Sequence, residues 1–236
     1  MQNPQIIQQR PKNKQKGICD IVLVVDVTAS MGPCIEGLKN NLNSFVDNLK
    51  LGINQTPLDW RARVLPFRDV FEDGPDAIDN SNPFVSDTES LKSQINKLTP
   101  SGGGELPEGV LDAIYVAITK SNWRDIYKVS RFVVVFTDAP TWETLHNSTI
   151  EPGEDNSVNR IKQLIAENHI HLFIFAPNDS KGIYNRLSES PRVVFDRVGD
   201  ENEQEKIYNG LQNKNFKDLL TSLARSISKQ SVVKKA

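Results

Sequence analysis

Cysteine is scarce, with two in 236 residues, and this rules out a disulfide scaffold, because folds of that kind use dense cysteine to replace a core. The two are not expected to pair with each other. A strand from Cys19 to Asp26 extends roughly 23 Å at about 3.3 Å per residue, and Cys34 lies beyond it, whereas a disulfide needs Cα atoms within about 7 Å. Two unbridged thiols favour a reducing compartment. Histidine is also sparse, at three. His169 and His171 stand two apart on a strand pattern and share a face, but no cysteine or third histidine has the spacing a zinc site needs. Charge of one sign is missing as well: the net charge is −2, so no global field recruits nucleic acid or anionic membrane. There is no run of about 18 apolar residues, and the first 16 residues lack an apolar h-region. The expected location is cytoplasmic.

What is present is ordinary for a globular chain: 38% hydrophobic and 25% charged residues, at a length that suits one large α/β domain. Residues 1–16 are Gln-rich and basic and read as a flexible lead-in, 17–228 as the domain, and 229–236 as a flexible basic tail. Apolar strand patterns begin at Ile18, Trp60, Phe132, His169 and Arg192. Between them, spacings of three and four draw amphipathic helices, for example Ile35, Leu38, Leu42, Phe45, Val46 and Leu49. Further helices are expected over 87–98, 107–119, 158–168, 180–187 and 215–227, and a short edge strand over 83–86. This alternation predicts a doubly wound α/β fold with a mostly parallel sheet and helices on both faces. Pro66 within the second strand places that strand at an edge or a bulge.

The stretch Asp20 to Gly32, D-I-V-L-V-V-D-V-T-A-S-M-G, carries the chemistry. Ile21 to Val25 has no polar face, as a buried parallel strand requires. Asp26, Thr28 and Ser30 then follow in the turn at the strand's carboxyl end, the edge where open α/β sheets bind ligands. A carboxylate and two hydroxyls are hard oxygen donors suited to a hard cation. Phe132 to Thr137 is a second such strand, and it stops on Asp138. If the two strands are neighbours these groups converge; on the residues alone, Asp26 and Asp138 are equally readable as helix caps.

D-V-T-A-S resembles the D-x-[ST]-x-S signature of von Willebrand factor A (vWA) domains, whose metal-ion-dependent adhesion site opens with those three side chains. S-G-G-G-E-L-P-E (Ser101 to Glu108) resembles the G-G-G-D-x-P-E form of the second metal loop, and F-T-D-A-P (Phe136 to Pro140) resembles the third. The resemblance runs from about Gly17 to Ser228. It implies a Rossmann-like fold and a bound Mg²⁺, or Mn²⁺ or Ca²⁺, held by Asp26, Thr28, Ser30, Glu105 and Asp138, with an open position for a partner's carboxylate. It further implies an adaptor without enzymatic activity, working beside a protein partner such as an AAA+ ATPase or a signalling component.

Glu105 stands where the commonest vWA pattern has threonine. With Asp26 and Asp138 it would bring three negative charges against the ion's two positive ones, or it touches the ion only through water. Glu108 reads as a first-turn residue of the following helix, partnered with backbone N–H groups. Trp142 is either an exposed interface anchor or a partly buried pin for its loop.

Other chemistries fit less well. The glycines at 102–104 lack the G-K-[ST] ending of a phosphate loop. Ser30 lacks the first glycine of a nucleophile elbow and has no histidine in triad order. The alternative from another class is an aspartyl phosphotransferase or phosphatase with Asp26 as nucleophile, although Thr28 stands where such enzymes carry a second acid.

Overall fold

The computed structural model describes residues 17–51, 58–104, 106–178, 181–200 and 214–231. The lead-in over 1–16, most of the linker after Leu51, Glu105 and the acidic loop after Asp200 lie outside the described residues.

Five strands form one parallel sheet: β1 (Ile18–Asp26), β2 (Asp59–Phe67), β3 (Ser130–Phe136), β4 (Ile170–Asn178) and β5 (Val193–Asp200), in the order β2-β1-β3-β4-β5. The chain thus winds outward from β1 in both directions, and the point of reversal lies between β1 and β3. The helices are α1 (Gly32–Leu51), α2 (Val70–Asp73), α3 (Thr88–Asn96), α4 (Val110–Lys120), α5 (Val158–Glu167), α6 (Ile183–Ser188) and α7 (Lys214–Gln230).

Strand side chains alternate between faces, so each apolar run feeds two cores. On one face Ile21, Leu23 and Val25 join Val134 and Phe136 beneath α1, α3 and α7. On the other, Val22 and Val24 join Val133, Val135 and Ile174 beneath α4, α5 and α6. The expected doubly wound sheet with helices on both faces is therefore what the chain forms, and every strand pairing is parallel. Cys19 and Cys34 are both buried and carry no disulfide, and burial pushes the Cys19 thiol up to about 12. Among the described residues, no helix is long and apolar enough to cross a membrane.

The outer edge of β2 is closed one residue pair at a time. Ala62 exchanges both backbone hydrogen bonds with Val85 at 2.8 Å. Val64 N–H donates to Gln94 Oε1 at 2.9 Å, and Asn82 Nδ2 donates to Val64 O at 3.0 Å. Pro66 O accepts from Asp79 N at 3.0 Å, so the proline's missing N–H faces this same outer side and costs no ladder bond. The edge strand expected over 83–86 is therefore a single antiparallel bridge at Val85, because side-chain amides take the place of its next ladder bonds. Capping these groups also removes a template for edge-to-edge association.

α3 begins where the sequence places it, and its N-cap is Asp87, which accepts from Ser90 N at 2.8 Å. α4 begins later than the expected residue 107, at Val110. The cause is Glu108, whose backbone bridges to Thr141 and donates to Pro140 O at 3.0 Å, which holds the segment extended. α7 runs on to Gln230, past residue 228.

Candidate functional site

Three loops meet at the carboxyl ends of β1, β2 and β3. The first leaves β1 at Asp26 and turns into α1. The second, through the glycines 102–104, is tied to the first by Ser101 N to Val27 O at 2.9 Å and Ala29 N to Gly102 O at 3.2 Å. The third leaves β3 and is tied to the second through Glu108, whose carbonyl accepts from Trp142 N at 3.3 Å. Tyr184 of α6 holds the third loop as well, donating to Ala139 O at 2.8 Å.

Asp26 is the buried centre. Its Oδ1 accepts from the Thr28 amide at 2.9 Å and from Thr28 Oγ1 at 2.7 Å, and its Oδ2 accepts from Thr137 Oγ1 at 2.7 Å. Thr28 Oγ1 lies 3.3 Å from Ser30 Oγ. Asp138 is buried too; burial pushes its pKa up, while a hydrogen bond from Ser30 pulls it down. Asp26, Thr28 and Ser30 thus form one continuous polar chain at the top of the sheet, with Asp138 beside Ser30. Glu105, the remaining expected ligand, lies outside the described residues.

The largest charges acting on Asp26 and Glu108 are all carboxylates. Burial and the neighbouring Asp138 carboxylate push Asp26 up to about 7 against the lowering effect of the Thr28 and Thr137 hydrogen bonds. Burial and then Asp26, Asp69 and Asp138 push Glu108 up to about 9. Glu108 Oε2 has no hydrogen-bond partner among the described residues. Glu108 is therefore not a first-turn helix residue paired with backbone N–H groups, as its sequence position suggests. It precedes α4 and places a buried carboxyl group beside the other acids. Carboxylates gathered in this way repel one another and stay protonated unless a cation joins them.

Two further residues carry the arrangement without a sequence signature. Thr137 orients Asp26 across the β1–β3 boundary, and its Oγ1 accepts from Ala139 N at 3.1 Å. Asp69, the N-cap of α2, accepts from Trp142 Nε1 at 3.0 and 3.1 Å. Trp142 also packs its ring 4.6 Å from that of Phe71, so it pins the third loop to the end of β2. A hydroxyl directly before Asp138 was the only available hint of Thr137.

The donor set suits a hard cation through oxygens alone: two buried carboxylates, Asp26 and Asp138, and the hydroxyls of Thr28 and Ser30. Among the described residues, no group of three or more histidine, cysteine, aspartate or glutamate side chains is placed to hold a metal ion. The fit therefore depends on the hydroxyls.

A family model described as the von Willebrand factor A domain matches residues 20–191. The chain belongs to the von Willebrand factor A domain family. The match runs from within β1 to the segment before β5, and so includes all three loops. Across 159 residues, 67% of this chain, the vWA domain is 28% identical to an ariadne-like RING finger protein, R811, of Acanthamoeba polyphaga mimivirus; it spans 14% of that protein's length. Two structures of proximal thread matrix protein 1 from the mussel byssus share its fold. One has a TM-score of 0.51 at 18% identity, covering 88% of this chain and 46% of the mussel chain. The other has a TM-score of 0.52 at 17% identity, covering 89% and 47%. The vWA family is one of protein-interaction domains in general.

Proposed function

We propose that this vWA domain binds a protein partner through a divalent cation, Mg²⁺ by preference, held at the three-loop site. The observation that carries the reading is the buried pair Asp26 and Asp138 joined through Thr28 and Ser30, with the dominant charges acting on the adjacent Glu108 all carboxylates. Asp26, Thr28, Ser30 and Asp138 would hold the ion, and Glu105 would add a second-loop oxygen directly or through water. When bound, the ion supplies an electrophilic position to which a partner's carboxylate adds. The chain's own residues fix the geometry. Thr28 and Thr137 lock both oxygens of Asp26, and Ser30 orients Asp138. The clamp between Glu108 and the third loop keeps that loop in register with the glycine loop.

The nucleophilic alternative is weakened by the same bonds, because Asp26 is buried with both carboxylate oxygens already accepting hydrogen bonds. A phosphoryl acceptor must be reached by its donor, and Asp26 has no exposed surface; an adaptor needs only a carboxylate lone pair directed at an ion.

The test is affinity capture by the full chain in Mg²⁺ against EDTA, with Asp26→Ala as control. The reading expects a partner retained only with metal and only by the unaltered protein. Identical capture in EDTA, or by Asp26→Ala, contradicts it.

A further inference from the structure

Away from the three loops, in the amino-terminal half of edge strand β2, a cleft of about 340 Å³ is lined by Arg61, Arg63, Asn80, Phe84, Lys120 and Asn122 among others. Arg61 and Arg63 are two apart on β2 and so point to the same face, that of α4. Their circumstances differ sharply. Arg61 is neutralised: its Nε and Nη2 each donate at 2.8 Å to the two oxygens of buried Asp20, and Nη2 also donates to Asn122 O at 2.6 Å. Arg63 is 4% exposed, yet its Nε and Nη2 have no hydrogen-bond partner among the described residues. The remaining nitrogen, Nη1, makes one long contact of 3.5 Å to Ser121 Oγ.

The guanidinium edge that Arg61 uses to hold a carboxylate is therefore the one that Arg63 leaves unsatisfied. Both guanidinium groups lie over Phe84, at 4.3 and 6.0 Å from the ring centroid. Among the described residues, no acidic side chain lines the cleft. Asp79 acts on Arg63 only through its field, and Lys120 faces Glu151 across a mostly exposed 3.7 Å pair. Burial pushes the Arg63 guanidinium below its usual range, which is the cost of a desolvated cation held without a counter-charge. Buried donors in folded proteins are nearly always satisfied, so two on one guanidinium mark a position awaiting an acceptor.

We infer that this cleft is a binding site for the oxyanion group of a small molecule, a phosphate or a carboxylate, with Arg63 as its cationic anchor and Lys120 as the second cation at its rim. The planar fork of arginine matches two oxygens of either group, and the cleft's volume lies at the lower end of small-molecule sites. This site is independent of the metal reading and uses none of its residues.

The test follows the Arg63 Nε–Hε resonance by ¹⁵N-edited NMR on the full chain in EDTA. Sodium phosphate and sodium acetate are titrated separately, each against sodium chloride at equal ionic strength. A saturable shift with phosphate or acetate, absent with chloride, is expected; the arm that saturates assigns the oxyanion. Affinity read from backbone amides around the cleft should fall about tenfold or more in Arg63→Met, the loss of one charge-assisted pair. Should Arg63→Met fail to fold, Lys120→Gln provides the same comparison with a smaller loss, and Asp26→Ala should bind normally. A response no larger than that to chloride, or one of full strength in Lys120→Gln and in any folded Arg63→Met, overturns the assignment.

Discussion

Thr137 Oγ1 donates to Asp26 Oδ2 at 2.7 Å, and this single bond joins the ends of β3 and β1 at the point where the sheet's winding reverses. It fixes the carboxylate oxygen that Thr28 does not hold. Thr137→Val keeps the volume and removes the donor, leaving a buried carboxylate oxygen unsatisfied. The expected loss is about 1–3 kcal/mol of stability in urea unfolding at pH 8, with weaker Mg²⁺ binding, whereas Thr137→Ser should stay close to the unaltered protein. Equal stability of the valine and serine variants would contradict a positioning role.

Gly103 and Gly102 make a matched pair for testing the second loop. Both have positive φ, +88° and +66°, but a Cβ on Gly103 would meet Thr28 Cβ at 2.9 Å, whereas one on Gly102 meets nothing closer than 3.6 Å. Gly102→Ala should carry only the backbone penalty, about 1–2 kcal/mol. Gly103→Ala should cost more and displace Thr28, so that Mg²⁺ affinity falls in this variant and much less in Gly102→Ala. Calorimetric titration of both variants checks the order, and equal affinities would separate the second loop from the site.

Asp112 gives a pH signature away from the cation site. It is fully buried in the first turn of α4, and its Oδ1 accepts from His146 N at 2.8 Å. Burial pushes its pKa up to about 6 from 3.8. A carboxyl group raised on folding favours the native state at low pH, and that contribution is lost as pH rises from about 4 to about 6. By linkage, two units correspond to at most about 3 kcal/mol. Asp112→Asn retains the acceptor without the charge. Its melting temperature should match that of the unaltered protein near pH 4 and exceed it at pH 7.5; a constant difference across that range would contradict the burial argument.

Much of this arrangement was legible because it rests on local patterns. The apolar runs ending on Asp26 and Asp138 announce strands buried on both faces, and the periodic Ile35 to Leu49 series announces α1. Pro66 narrowed β2 to an edge or a bulge, and β2 lies at the edge. The features that escaped depend on contacts between segments distant in sequence. Glu108 looks like a helix residue until Thr141 and Pro140 bind its backbone and delay the start of α4. The hydroxyl of Thr137 and the pairing of Asp69 with Trp142 have no periodicity to reveal them. The unsatisfied guanidinium of Arg63 emerges only once α4 and the Phe84 segment bury it.

The most direct measurement of the central claim is isothermal titration calorimetry of Mg²⁺ into the metal-free protein and into Asp26→Ala. The account predicts saturable binding with one ion per chain, lost or weakened at least about tenfold in the variant, and a corresponding rise in melting temperature with metal. The absence of saturable binding at millimolar Mg²⁺ or Mn²⁺, or equal affinity in Asp26→Ala, would contradict it.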